Sequence, residues 1–129
     1  MKKIFIALFF SLALAACATF PNPLYTGGSD GRSRLAAIES SYGIALSVAV
    51  AYRRTRLCKK SEVATFTNIC ASRAVILELQ AADREAQRAL IAARIFVRNN
   101  PTIDAFQVLG IAQNSVLFFQ NVLAAHGIR

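Results

Sequence analysis

Three cysteines and a single histidine are the side chains of this 129-residue chain best suited to nucleophilic or metal chemistry. No Cys-x-x-Cys pair occurs, and His126 stands alone three residues from the end, so a zinc site is not expected. The seven acidic residues are scattered along the chain, without a pair of carboxylates placed for acid–base catalysis, and there is no glycine-rich phosphate loop or calcium loop. We therefore expect no catalytic residue, no metal and no cofactor, and a protein that is not an enzyme.

The N-terminus has the pattern of a secretion signal. Two lysines follow the first methionine, and residues 4–16 are apolar apart from Ser11. This apolar stretch of 13 residues is too short to span a bilayer comfortably, because a spanning helix needs about 20. It ends in the tetrapeptide Leu14-Ala15-Ala16-Cys17.

That tetrapeptide resembles the lipobox of bacterial lipoproteins, in which a large aliphatic residue and two small residues precede a cysteine. In that family a diacylglycerol group is attached to the cysteine through a thioether, and signal peptidase II cuts before it. The resemblance covers roughly residues 1–18. It implies that residues 1–16 are a signal peptide and that Cys17 is the lipidated first residue of the mature chain. An ordinary signal peptide with a chance cysteine is the alternative.

In bacterial lipoproteins, the residue after the lipidated cysteine indicates whether the protein is kept in the inner membrane or sorted to the outer membrane. In the family an aspartate there often retains the protein in the inner membrane, whereas this chain has Ala18. The resemblance therefore implies an outer-membrane lipoprotein that faces the periplasm of a Gram-negative cell.

Cys58 and Cys70 are the two cysteines that remain in the predicted mature chain. Because the periplasm is oxidising, we predict that they form a disulfide. The bridge would close a loop of about 13 residues and would stabilise the fold by roughly 3 kcal/mol in the chain-entropy model. Two free, buried thiols are the alternative.

The remainder of the chain predicts a tether followed by helices. Residues 17–31 are rich in proline and glycine and predict a flexible tether after the lipidated residue. From there on, apolar residues recur at three- and four-residue spacings, which predicts helices at about residues 33–57, 72–98 and 101–125. Ser72 is the expected N-cap of the second helix. Asn100 and Pro101 are expected to open the third helix, and Gly127 to end it.

Short connections make neighbouring helices antiparallel. The sequence therefore predicts an all-α domain over residues 32–129, folded as a three-helix, up-down-up antiparallel bundle.

Such a bundle would collect positive charge at the end far from the tether, about 38 Å away along a helix of 25 residues. We call this cluster the basic tip; it consists of Arg53, Arg54, Arg56, Lys59, Lys60, Arg73 and Arg129. It could meet cell-wall carboxylates or an acidic partner. The alternative is a solvated cap that keeps the protein soluble. No aromatic residues interleave with the cations, and we expect no nucleic-acid partner.

The third predicted helix carries no charge between Ala105 and Ala125 but contains five amide side chains. That many amides would be costly in a membrane span. Gln107, Asn114 and Asn121 recur every seven residues and therefore share a face. This face is either an uncharged solvent surface or a surface that packs against another protein or a second copy, because amides pair there without the desolvation cost of charge.

Asp83 is the one acidic residue within an apolar stripe of the second predicted helix. It could pair with an arginine of another helix and fix the register of packing. The other interpretation, which we favour, puts it in water at the edge of the stripe.

Taken together, these features predict a membrane-anchored, non-enzymatic lipoprotein that acts as a small helical interaction module in the cell envelope. Its partner would be an envelope protein or the cell wall, and self-association is an open alternative. A second hypothesis is an inhibitor or exclusion lipoprotein, of the kind that phages and mobile elements carry, that blocks an envelope protein. The chain is similar to short bacterial and prophage lipoproteins in size and signal only.

Overall fold

The helical periodicity of the sequence is realised as three α-helices in a computed structural model that describes residues 30–60, 62–65 and 69–129. They are α1, Gly31–Arg54; α2, Arg73–Asn99; and α3, Phe106–Ala125. The prediction of an all-α, three-helix domain is confirmed. The predicted signal peptide, Cys17 and the predicted tether up to residue 29 lie outside the described residues.

Helix α1 begins two residues earlier and ends three residues earlier than its periodicity predicts. Asp30 is its N-cap, and the Asp30 carboxylate accepts a hydrogen bond of 2.6 Å from the backbone N–H of Ser33. This hydrogen bond lowers the pKa of Asp30. At the other end, Thr55 adopts an extended backbone. Leu57 then forms an isolated parallel bridge with Ala71, so these residues leave the helix to pair with the chain that enters α2.

The predicted start of α3 at Asn100 and Pro101 is wrong. Asn100 instead closes α2, because both its backbone N–H and its side-chain amide donate to the carbonyl of Phe96, at 2.9 and 3.0 Å. Pro101 lies in the turn that follows, and α3 begins only after Ala105. There the carboxylate of Asp104 accepts a 2.9 Å hydrogen bond from the N–H of Phe106 and satisfies one of the free donors of the helix start.

The other helix ends follow their sequence signals. Ser72 is the N-cap residue of α2 as predicted, although its side chain makes no capping hydrogen bond. Gly127 ends α3 as predicted, with φ at +65°. The N–H groups of Gly127 and Ile128 donate to the carbonyls of Ala124 and Leu123, which is the Schellman pattern.

The order of contacts along α1 and α2 is that of antiparallel neighbours. A Cβ added at Gly31 would lie 3.6 Å from Val97, near the end of α2. At the opposite end, the hydroxyl of Tyr52 accepts a 2.8 Å hydrogen bond from the N–H of Ser72. The same added Cβ would lie 3.4 Å from Ala105, so the start of α1 also adjoins the entry to α3.

The core lies on the axis where the three helices meet. Its largest fully buried side chains, one or two from each helix, are Ile38, Leu90, Leu109 and Phe119. Small side chains fill the layers between them, and Ala45, Ala86 and Ala112 are at most 1% exposed. Small residues at these positions allow the helix backbones to approach closely and the large residues to pack between them.

Phe119→Ala is expected to lower the free energy of unfolding by about 3–5 kcal/mol, because it removes a fully buried ring from the centre of the core. The matched control is Phe106→Ala, since Phe106 belongs to the same helix and is 55% exposed. Urea unfolding followed by circular dichroism measures both variants. A loss in Phe106→Ala equal to that in Phe119→Ala would contradict this description of the core.

Candidate functional site

The connection between α1 and α2 is closed by Cys58 and Cys70. Their Cα atoms are 4.9 Å apart and their sulfur atoms are at bonding distance, as the sequence predicted. Backbone hydrogen bonds flank the pair. The N–H of Cys58 donates to the carbonyl of Ala71 at 3.0 Å, and the N–H of Ala71 donates to the backbone carbonyl of Arg56 at 2.8 Å. The disulfide therefore joins two chain segments that the backbone already holds side by side.

All seven residues of the basic tip are exposed, but one of them has an acidic partner in the connection between α1 and α2. The guanidinium of Arg56 donates two 2.9 Å hydrogen bonds to the two carboxylate oxygens of Glu62, and these raise the pKa of Arg56. Glu62 also accepts from the N–H of Lys59. This bidentate pair fixes the shape of the connection and neutralises part of the charge that the sequence pattern assigned to the tip.

The end of α3 lies beside the start of α2. Nε2 of His126 is 2.8 Å from a carboxylate oxygen of Glu78. The His126 side chain therefore makes a contact between α3 and α2. Because α3 ends here, Arg129 lies at the same end of the bundle as Arg73.

Asp83 takes neither of the two expected arrangements. It is half-buried, and its carboxylate accepts a 2.7 Å hydrogen bond from the hydroxyl of Tyr42 on α1 and a 3.1 Å bond from Gln87. The ring of Tyr42 packs in turn against Phe119, with centroids 6.1 Å apart. Burial, and then the hydrogen bond to Asp83, raise the pKa of Tyr42 to about 12. This contact fixes the register of α1 against α2, with a tyrosine in place of the arginine.

The five amides of α3 divide between two faces. Gln113 and Gln120 are buried, and Nε2 of Gln120 donates a 2.7 Å hydrogen bond to the hydroxyl of Ser41 on α1. Their positions in the sequence indicate this burial, because Gln113 follows the core residue Leu109 by four positions and Gln120 follows Val116 by four. The three amides predicted to share a face are all exposed: Gln107, Asn114 and Asn121.

Large apolar side chains lie between these three exposed amides. Ile111 is 62% exposed and Phe118 is 56% exposed, and both lie on the outer side of α3. A groove of about 460 Å³ continues from Gln107 and Ile111 to Phe96 on α2. The periodicity of the sequence did not predict this exposure, because three- and four-residue spacing also describes core residues.

A smaller cleft lies between α1 and α2. It offers about 60 Å³ and is lined mainly by apolar residues, with Arg53 and Asp83 at its polar side. Small-molecule sites typically occupy 300–1,000 Å³, so this cleft admits only a few atoms. Within the three described ranges, no group of three histidine, cysteine or acidic side chains is placed to hold a metal ion.

By length and composition, α1 and α3 could each cross a membrane. However, α3 buries Leu109, Val116 and Phe119 against the other two helices, which is also the property of a core helix. Length and composition therefore do not identify either helix as a membrane span.

Replacing both Cys58 and Cys70 by serine is expected to lower the free energy of unfolding by about 3 kcal/mol, because the closed loop no longer restricts the unfolded chain. Urea unfolding of protein produced in an oxidising compartment measures the loss, and reduced wild type is the matched control. Alkylation of both thiols in exported protein before any reduction would contradict the bridge.

Tyr42→Phe is expected to cost about 1 kcal/mol near neutral pH, because it leaves the half-buried carboxylate of Asp83 without its hydroxyl donor. The folded protein holds the phenol proton more tightly than the unfolded chain, so the contribution of Tyr42 is complete below pH 10 and declines as the pH rises toward about 12. The stability difference between wild type and Tyr42→Phe should therefore shrink over that range in urea titrations. A difference that stays constant up to pH 12 would contradict the raised pKa.

Comparison of the chain with protein-family models, curated proteins and solved structures finds no match. The arguments for a function therefore come from the residues themselves. They are the signal-like N-terminus, the paired cysteines, the basic tip and the exposed outer side of α3.

Proposed function

We propose that this chain is the precursor of a lipid-anchored, non-enzymatic lipoprotein of the bacterial envelope, whose helical bundle is an interaction module. The observation that carries the proposal is the lipobox-like tetrapeptide ending in Cys17, placed directly after a positive and then apolar signal. The helical domain begins well after this site, with the N-cap residue Asp30. Anchoring at Cys17 therefore requires no change in the bundle.

The pairing of the other cysteines supports the same proposal. Cys58 and Cys70 are joined to each other, which leaves Cys17 as the third cysteine of the chain. An odd cysteine in an exported protein calls for an intermolecular bond or a modification, and lipidation is such a modification. A disulfide within the domain also suits an oxidising compartment such as the periplasm.

The length of the intervening segment supports a domain that reaches away from its membrane. Residues 17–29 span at most about 45 Å when fully extended. The start of α1 and the entry to α3 lie at the end of the bundle that joins this segment, and the basic tip lies at the opposite end. In this proposal the basic tip therefore faces cell-wall carboxylates or an acidic envelope protein, and Ala18 favours the outer membrane as the anchoring site.

An inhibitor or exclusion lipoprotein that blocks an envelope protein is the second candidate, and the basic tip is the observation that favours it. Among the residues that the structure describes, six of its seven cations lack the bidentate carboxylate partner that Arg56 has. Such a cluster can bind an acidic loop of a receptor or transporter. Pull-down from detergent-solubilised envelope separates the candidates, because a stoichiometric receptor or transporter indicates inhibition, whereas cell-wall material or self-association indicates a structural module.

The proposal predicts the intact mass of the protein purified from bacterial membranes. The mass should equal residues 17–129 plus the lipid, less two hydrogens for the Cys58–Cys70 bond. The control is Cys17→Ser, which removes the only thiol that the lipobox presents for thioether formation. This variant should lack the lipid and should keep its signal peptide.

A wild-type mass without lipid would reject the anchor. The cleavage site would then tell a secreted soluble domain from an unprocessed chain, and the orientation of the basic tip relative to a membrane would lose its basis.

A further inference from the structure

We propose that the outer side of α3 binds the same surface of a second copy of this chain, with the two α3 helices parallel and in register. We call this surface the amide face; it consists of Gln107, Ile111, Asn114, Phe118, Asn121 and Ala125. The inference deepens the proposed function by naming a partner for the interaction module. It rests on the proposed lipid anchor only for the parallel direction of the two copies.

The amide face is a regular stripe outside the core. Its residues follow one another at spacings of four, three, four, three and four, so that amide and apolar side chains alternate along one side of the helix. All six residues are exposed. This seven-residue repeat is the pattern by which two helices pack along a shared seam. The core of the bundle uses a different stripe, which includes Leu109, Val116 and Phe119.

The charge distribution limits where two copies of this chain can meet. The predicted mature chain has 13 basic and seven acidic residues, so two copies repel each other over much of their surface. The amide face has no charged residue, and neither does any position from Ala105 to Ala125. A cationic protein can therefore approach itself along this side without placing like charges opposite each other.

The amides add self-complementarity. Each side-chain amide both donates and accepts hydrogen bonds, so that an amide can pair with its own copy, as a charged group cannot. Within residues 30–60, 62–65 and 69–129, none of Gln107, Asn114 and Asn121 is hydrogen-bonded through its side chain to another part of the chain. Pairing of each amide with its equivalent requires the parallel, in-register arrangement, in which every seven-residue repeat meets itself.

Gly110 beside the amide face has no packing explanation within one copy. A Cβ added there would meet nothing within 4 Å, and glycine inside a helix costs about 1 kcal/mol relative to alanine. The missing side chain leaves room for another helix to approach the α3 backbone closely. The open space at Gly110 is therefore compatible with close packing of a second helix on this side of α3.

The position of the tether selects the parallel direction. Asp30, where the tether reaches the bundle, lies at the same end as the entry to α3, because Gly31 adjoins Ala105. Two copies paired in parallel therefore present both tethers at one end, toward one membrane. An antiparallel pair would place the two tethers at opposite ends of a helix about 30 Å long. Confinement to one membrane also raises the effective concentration of one copy near another.

Site-directed crosslinking of the full-length protein in bacterial membranes tests the inference. Asn114→Cys lies at the middle of the amide face, so mild oxidation should join two copies as a dimer on a non-reducing gel. Ser40→Cys is the matched control, because Ser40 is exposed near the middle of α1. Crosslinking at position 40 and none at position 114 would overturn the proposal.

The direction of pairing is tested by Gln107→Cys and Asn121→Cys. In a parallel pair each variant crosslinks with itself. In an antiparallel pair neither variant forms a crosslink by itself, because position 107 of one copy lies opposite position 121 of the other. Crosslinking only in a mixture of the two variants would therefore overturn the parallel arrangement.

The contacts themselves are tested in the Asn114→Cys background. Adding Phe118→Lys should reduce the crosslinked fraction about tenfold or more, because it places two like charges opposite each other in the interface. Adding Ala81→Lys, on an exposed position of α2, should leave that fraction unchanged. Circular dichroism confirms that each variant keeps its helices. An equal reduction by both lysines would overturn the assignment to this face.

Fractionation of the same Asn114→Cys cells separates the failure of this inference from that of the proposed function. Lipidated protein in the membrane fraction without a crosslink rejects the second copy and leaves the anchor in place. Crosslinked protein without lipid, in the soluble fraction, supports the amide face and rejects the anchor.

Discussion

The burial of one side of α3 against both other helices is the interaction on which the rest of the structure depends. Leu109, Val116, Phe119 and Leu123 form its inner stripe, and Phe119 is completely buried. Alanines on the facing helices let the backbones approach, so that this stripe makes close contact with α1 and α2 together. The hydrophobic effect acting on α3 thereby assembles all three helices around one axis.

The interface between α1 and α2 depends more on polar contacts. Tyr42 donates to Asp83, and Glu39 pairs with Arg94, while the apolar cleft beside them is narrow. Directed contacts of this kind add little net stability but tolerate only one register. The disulfide and the Arg56–Glu62 pair then hold the end where α1 passes into α2. Burial of α3 therefore supplies the assembly, and polar contacts define how α1 lies against α2.

Two surfaces of the bundle take no part in these internal contacts and are left for interactions with other molecules. The basic tip occupies one end of the bundle, and the amide face runs along the outer side of α3. In the proposed lipoprotein these surfaces serve different contacts, because the tip attracts acidic groups at a distance and the amide face requires close, uncharged packing. Pairing through α3 would leave the end of the bundle free, and two copies would present a doubled positive charge to a shared target.

Local sequence was sufficient to predict that three helices form, that α3 ends at Gly127, and that Cys58 pairs with Cys70. Helical periodicity is local, and Gly127 ends a helix through its own backbone conformation. Cys58 and Cys70 were the two cysteines that remained once Cys17 was interpreted as the cysteine of a lipobox. The interpretation of Cys17 also comes from sequence alone, because processing enzymes recognise such a signal as a linear segment. Local sequence left two possibilities open at Asn100, and the contact that prevailed is itself local. Asn100 closes α2 instead of opening α3, since the carbonyl of Phe96 is within reach of its amide.

The distribution of polar groups also depended on the tertiary structure. The five amides of α3 have the same chemistry, yet Gln113 and Gln120 are buried while the other three face outward, because the position of α1 selects the inner side. The carboxylate of Asp83 accepts a hydrogen bond from Tyr42, which lies on another helix and 41 residues earlier in the chain, and no local pattern identifies this partner. The sequence by itself determined that helices form and where most of them end. The packing of those helices decided which polar side chains have partners inside the bundle, because burial and hydrogen bonding depend on neighbours distant in sequence.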